Sequence, residues 1–180
     1  MKLLRVLTIV LLVAGIENFF QNTYTINHHR IVIAKYNRSL VRHPEIKIAL
    51  AEDGKSQCIN ASGTFIIPIE NIVLVKAKVY RNVGNTYRIF PFNVTIDGCD
   101  STRRNFLGLK NIFSHTNFKD CPVPKGFLYL KCYVLEEEKF PPHVPMGKYR
   151  IDVEVTANGD YMVGSGFWYG AVEPKSKDYD

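Results

Sequence analysis

Few residues of this chain stand in a pattern that could do covalent or metal chemistry. His28 and His29 are adjacent in "INHHRIV", which invites a metal reading. Neighbours in an extended strand point to opposite faces, so the two imidazoles cannot share one ion. His43, His115 and His143 each stand alone in polar or proline-rich surroundings and read as solvated side chains. Ser165 lies between Gly164 and Gly166, but no GxSxG elbow surrounds it, and these glycines read as permitting close packing or a bulge within a strand. Glu136-Glu137-Glu138 is a carboxylate run that reads as a solvated turn. There is no HExxH and no phosphate-binding glycine loop, so the catalytic, metal and cofactor sets are all expected to be empty.

The remaining reactive groups are four cysteines: Cys58, Cys99, Cys121 and Cys132. None forms a CxxC pair, which weakens zinc and thioredoxin-type readings. An even number in an exported chain favours two disulfides, and three pairings are open. Three sequons, at Asn37, Asn60 and Asn93, mark expected glycosylation sites in a chain that enters the secretory pathway.

The first residues, MKLLRVLTIVLLVAGIENFF, supply that context. Lys2 and Arg5 precede an apolar run of about 11 residues that ends in small residues, the pattern of a secretory signal peptide. Glu17 ends the run well short of the length needed to span a bilayer. We expect residues 1–15 to be removed, with Val13 and Gly15 read by the peptidase, and residues 16–180 to form a single domain. Losing Lys2 and Arg5 takes two charges from the formal +6, and the rest are spread along the chain. No basic stripe of the kind that binds nucleic acid is present.

The elements that carry these residues read mostly as strands. Stretches near residues 24–34, 45–51, 64–69, 72–81, 86–96, 127–135, 148–156 and 161–172 are rich in Val, Ile, Tyr and Phe, and several are separated by turn residues. Lys148, Arg150, Asp152 and Glu154 alternate with Tyr149, Ile151, Val153 and Val155, which predicts one wet and one inward face. Asn158-Gly159 then supplies a hairpin turn. Phe106, Leu109, Ile112 and Phe113 recur at helical spacing, predicting a short helix or ordered loop near 102–115. Eight short strands without a long linker predict an all-β two-sheet sandwich.

The chain holds 11 Phe, 10 Tyr and one Trp, many of them in its second half. Aromatic cross-strand pairs in a filled core would account for them, and so would an apolar cavity between parted sheets. Periodicity cannot separate the two.

Three ordered patterns carry a resemblance. "FNVTIDGC" contributes Asn93, Thr95, Asp97 and Cys99; "NFKDCPVPKGFLYL" contributes Cys121, Pro122, Gly126 and Tyr129; "FPPHVPMGKYRIDVEV" contributes Pro145, Gly147 and Tyr149. Over residues 92–155 the chain resembles the lipid-recognition (ML) superfamily that includes the ganglioside activator, and most of all an insect secreted branch containing the CheB chemosensory proteins. The resemblance implies an immunoglobulin-like β-sandwich with an apolar cup between its sheets. It also implies pairing of Cys99 with Cys121, which leaves Cys58 with Cys132. The implied ligand is a lipid, fatty acid or cuticular hydrocarbon, offered to a membrane receptor or membrane surface in contact chemosensation or pheromone response. No motif fixes the cup lining, and Phe106, Leu109, Ile112 and Phe113 are named on physical grounds as rim groups.

A secreted, non-enzymatic lipid or hydrocarbon carrier is therefore the leading reading. The alternative is a secreted adhesion or interaction sandwich with a filled core, and a secreted hydrolase ranks last for want of a catalytic set.

Overall fold

A computed structural model describes residues 23–69, 73–157 and 161–175. The expected signal peptide and the Asn158-Gly159 turn lie outside the described residues. Among the described residues eight strands form: β1 (Tyr24–Tyr36), β2 (Val41–Leu50), β3 (Gln57–Phe65), β4 (Val73–Val83), β5 (Thr86–Asp97), β6 (Gly126–Val134), β7 (Gly147–Ala157) and β8 (Tyr161–Pro174). They make a five-stranded sheet in the order β1-β8-β7-β4-β5 and a three-stranded sheet in the order β2-β3-β6, with every pair antiparallel. This is the all-β, two-sheet architecture expected from the strand pattern.

The alternation along β7 does what the period predicts. Tyr149 is buried and packs in a core cluster, Val155 packs in another, and Lys148 and Glu154 are exposed. Arg150 and Asp152 share the outer face, where the guanidinium grips the carboxylate through bonds of 2.8 and 3.1 Å and lies over the Tyr80 ring.

Three local expectations need correction. β3 occupies Gln57–Phe65 and not 64–69, because the chain leaves the sheet at Ile66 and Pro68 has no N–H to give a ladder. The helical segment starts earlier than the apolar spacing indicates. Asp97 caps a helix α1 (Gly98–Arg103) by accepting from the Asp100 N–H at 3.0 Å, and a kinked 3₁₀ run over Phe106–His115 follows. His43 sits inside β2, at a register shift, and not in a loop.

The patterns behind the resemblance are scaffolding. Asp97 caps the helix that presents Cys99, and Cys99 is bonded to Cys121. Tyr149 donates its hydroxyl to the Pro145 carbonyl at 2.6 Å, which clamps the proline-rich loop onto the sheet. Gly147 between them holds φ at +141°, a backbone shape that side chains resist. The second bridge joins Cys58 to Cys132 within the small sheet.

Candidate functional site

The two sheets meet at one end and part at the other. At the closed end Val41 and Phe65 of the small sheet pack with Val155, Ala157 and Val163 of the large one. The second cluster contains Tyr24, Ile26, Val79, Phe90, Tyr149, Trp168 and Val172, all from the large sheet, capped by Phe140 and Val144 of the proline-rich loop. Among the described residues, none of the small sheet joins it.

Between the clusters the inward rows carry small side chains. Val153 of β7 is flanked by Gly166 of β8 and Ala77 of β4. On β3 the inner positions are Ile59, Ala61, Gly63 and Phe65. Ile151 and Val153 remain only half-buried. They lie on the middle strand of five, between β8 and β4.

A cleft of about 570 Å³ lies between edge strand β1 and the end of the small sheet. Ile26 and His28 of β1 form one wall, and Leu50, Gln57, Val134 and Leu135 of the small sheet and its turns form the other. Gln57 spans the gap: its side-chain oxygen accepts from the His28 N–H at 2.6 Å, and its amide donates to the His28 carbonyl at 3.0 Å. Glu137, also on the rim, accepts from the Thr25 hydroxyl and the Ile26 N–H. The Glu136–Glu138 run is thus more than a solvated turn. β1 is an edge strand, and a carboxylate satisfies one of its spare donors.

Sequence reasoning missed the pair formed by His28, on the cleft wall, and Trp168 behind it. His28 is buried, and the Trp168 indole donates to its Nδ1 at 2.9 Å. That bond requires a bare Nδ1, so the imidazole is neutral with its proton on Nε2. Burial pushes its pKa down, and neighbouring His29 adds to the shift. The two residues lie 140 positions apart, so only the β1–β8 register brings them together. His29 is exposed, as expected from strand alternation.

Gly166 and Gly170 have a definite role in this arrangement. A Cβ on Gly166 would collide with the Val32 carbonyl, and one on Gly170 with the Asn27 carbonyl and the Trp168 ring. Both sit beside shifts in the β1–β8 register, so close backbone approach explains the glycines.

The four nominated rim residues lie elsewhere. Phe106, Leu109, Ile112 and Phe113 belong to the 3₁₀ run that crosses from β5 to the edge of β6, and none of them lines the cleft. Phe113 stacks edge-on against Phe118 at 5.4 Å, and Phe106 is largely exposed. Tyr133 of β6 anchors the run: it is buried beneath it, its ring meets His115, and its hydroxyl faces the Gly108 carbonyl at 3.4 Å. Burial, with Glu136 and Glu138 nearby, holds its phenol up to about 12.

The sequons fall at three different places. Asn37 sits in the turn between β1 and β2, where its side chain accepts from the Ser39 N–H. Asn93 is exposed on edge strand β5, and Asn60 lies on β3. Among the described residues no group of three or more His, Cys, Asp or Glu side chains could hold a metal. No helix among them is long and apolar enough to cross a membrane.

A family model described as a protein of unknown function (DUF1091) matches residues 75–151, from within β4 to within β7. Two solved structures are similar at low identity. A Niemann-Pick type C2 protein from Japanese carpenter ant is 12% identical, covering 78% of this chain and 97% of its own, with a TM-score of 0.38. Chicken MD-1 complexed with lipid IVa is 12% identical, covering 82% and 99%, with a TM-score of 0.36. No curated protein matches.

Proposed function

We propose that this chain is an exported, non-catalytic lipid carrier of the ML type that holds an apolar chain between its sheets. The observation that carries this reading is the half-buried state of Ile151 and Val153 on the central strand of the large sheet. A filled sandwich would seal those side chains. On this reading a guest lies along the apolar rows and enters by the cleft between β1 and the small sheet.

Burial of a guest supplies the affinity. Each methylene removed from water gains about 0.8 kcal/mol, so a ten-carbon segment yields several kcal/mol after ordering costs. Length selection comes from the closed end, where the sheets pack together. Polar discrimination comes from Gln57, His28 and Glu137 at the mouth. Disulfide bonds persist in oxidising compartments, so the two bridges support export, with residues 1–15 as the signal peptide. Within this reading, a fatty acid or cuticular hydrocarbon presented at a membrane receptor in contact chemosensation is the role suggested by the sequence resemblance.

The test is native mass spectrometry of the protein secreted from insect cells. A discrete extra mass that organic extraction removes supports the carrier. A protein carrying glycans alone, and no guest after incubation with long-chain fatty acids or alkanes, overturns it in favour of a closed interaction module.

A further inference from the structure

The outer face of the small sheet carries two aromatic rings that serve no core. Phe127 is 60% exposed and Tyr129 is 41% exposed, with ring centroids 6.5 Å apart. They line an open groove of about 530 Å³ together with Asn60, Ser62, Lys47 and Lys131. The strand register explains the assembly: Ser62 lies opposite Tyr129, and Thr64 lies opposite Phe127. Asn60 is on the same face, two residues before Ser62. The Asn117 side chain fixes the backbone beneath both rings, donating to the Phe127 carbonyl at 2.8 Å and accepting from the Tyr129 N–H at 3.0 Å.

Asn60 is also the acceptor of the sequon Asn60-Ala61-Ser62. Its side chain takes a hydrogen bond of 3.0 Å from the Cys132 N–H. An N–H can donate only to the amide oxygen, so Oδ1 is engaged with β6. Nδ2, the atom a glycan would occupy, is on the other branch of the amide. A fixed Nδ2 and two exposed rings thus share one groove.

We propose that Asn60 carries an N-linked glycan whose first sugars lie in this groove against Tyr129 and Phe127. The inference rests on the export proposed above. The donor is a polyprenyl-pyrophosphate-linked oligosaccharide. Its C1–O bond to pyrophosphate breaks, a C1–Nδ2 bond forms, Nδ2 loses one proton, and the lipid pyrophosphate leaves. The negative face of each ring attracts the C–H face of a pyranose, and the flanking polar groups meet its hydroxyls. The glycan covers the apolar surface of this face, which is therefore unavailable to a protein partner.

The chain is expressed in insect cells as wild type, S62A, F127A/Y129A, and the combination of all three changes. Ser62→Ala removes the sequon while leaving the Asn60 amide and its bond to Cys132. Glycopeptide mapping is expected to find hexosamine on Asn60. Thermal unfolding is expected to show a wild-type midpoint about 2–4 °C above S62A, a gap that closes in the F127A/Y129A background. The same pair made in bacterial periplasm, where no glycan is added, measures and subtracts the effect of the serine itself. An unmodified Asn60 beside a modified Asn37 or Asn93 overturns the site and leaves export standing. A chain retained in the cell with no modified sequon overturns both. A glycan on Asn60 whose effect is equal in the two backgrounds overturns the docking.

Discussion

Val153→Phe separates an open interior from a closed one, because the two predict opposite signs. Val153 points inward from central β7 between Gly166 and Ala77, and it is half-buried. Phenylalanine adds about four carbons to the space between the sheets. In a closed core such overpacking costs about 1–3 kcal/mol. In an open one the ring fills space that water now reaches, so the unfolding midpoint should hold or rise. The same carbons displace part of a guest. At about 0.8 kcal/mol per methylene the loss is about 3 kcal/mol, roughly a hundredfold in affinity. Displacement of a fluorescent fatty acid reads the affinity, and thermal unfolding of the unliganded protein reads the stability. A midpoint lowered by several degrees with affinity unchanged would refute the reasoning.

Three further outcomes follow from the same geometry. His28 has a folded-state pKa below its unfolded value near 6.5, so the unfolded chain binds the proton first on acidification. Stability should be full above about pH 6.5 and decline as pH falls toward the folded pKa. The sole tryptophan, Trp168, should report loss of its bond to Nδ1 in fluorescence, and His28→Phe should flatten both curves in that window. Gly170→Ala forces a methyl into the Asn27 carbonyl and the Trp168 ring, and should cost about 1–3 kcal/mol in urea unfolding; a neutral result would contradict the packing. The bridges span separations of 74 and 22 residues, so replacing Cys58 and Cys132 with Ala should cost about 4 kcal/mol, and replacing Cys99 and Cys121 about 3. Equilibrium unfolding that reverses the order would show that loop entropy does not govern them.

The legible parts of this chain are those that local physics writes locally. Alternation placed Tyr149 and Val155 inward on β7 and kept Lys148 and Glu154 outside, because period two needs no partner to be read. β3 is hard to read because its Gln, Asn, Ser and Gly content hides a strand whose inner face carries only Ala61 and Gly63 between Ile59 and Phe65. The apolar spacing of Phe106, Leu109, Ile112 and Phe113 marks an ordered segment but not its place, and these residues do not line the cleft beside β1. The cleft joins residues from β1, the β2–β3 turn and the end of β6, and the bond from its His28 to Trp168 spans most of the chain. The small row of Gly166, Val153 and Ala77 exists only once three strands are in register. No single stretch of sequence contains it.

The most direct measurement is a crystal structure of the protein purified from eukaryotic medium, solved without stripping its interior. The account predicts extended apolar density between Val153 on β7 and Ala61 on β3, reaching toward Gln57 and His28. Interlocked side chains from the two sheets, with Ile151 and Val153 sealed from both water and guest, would contradict it.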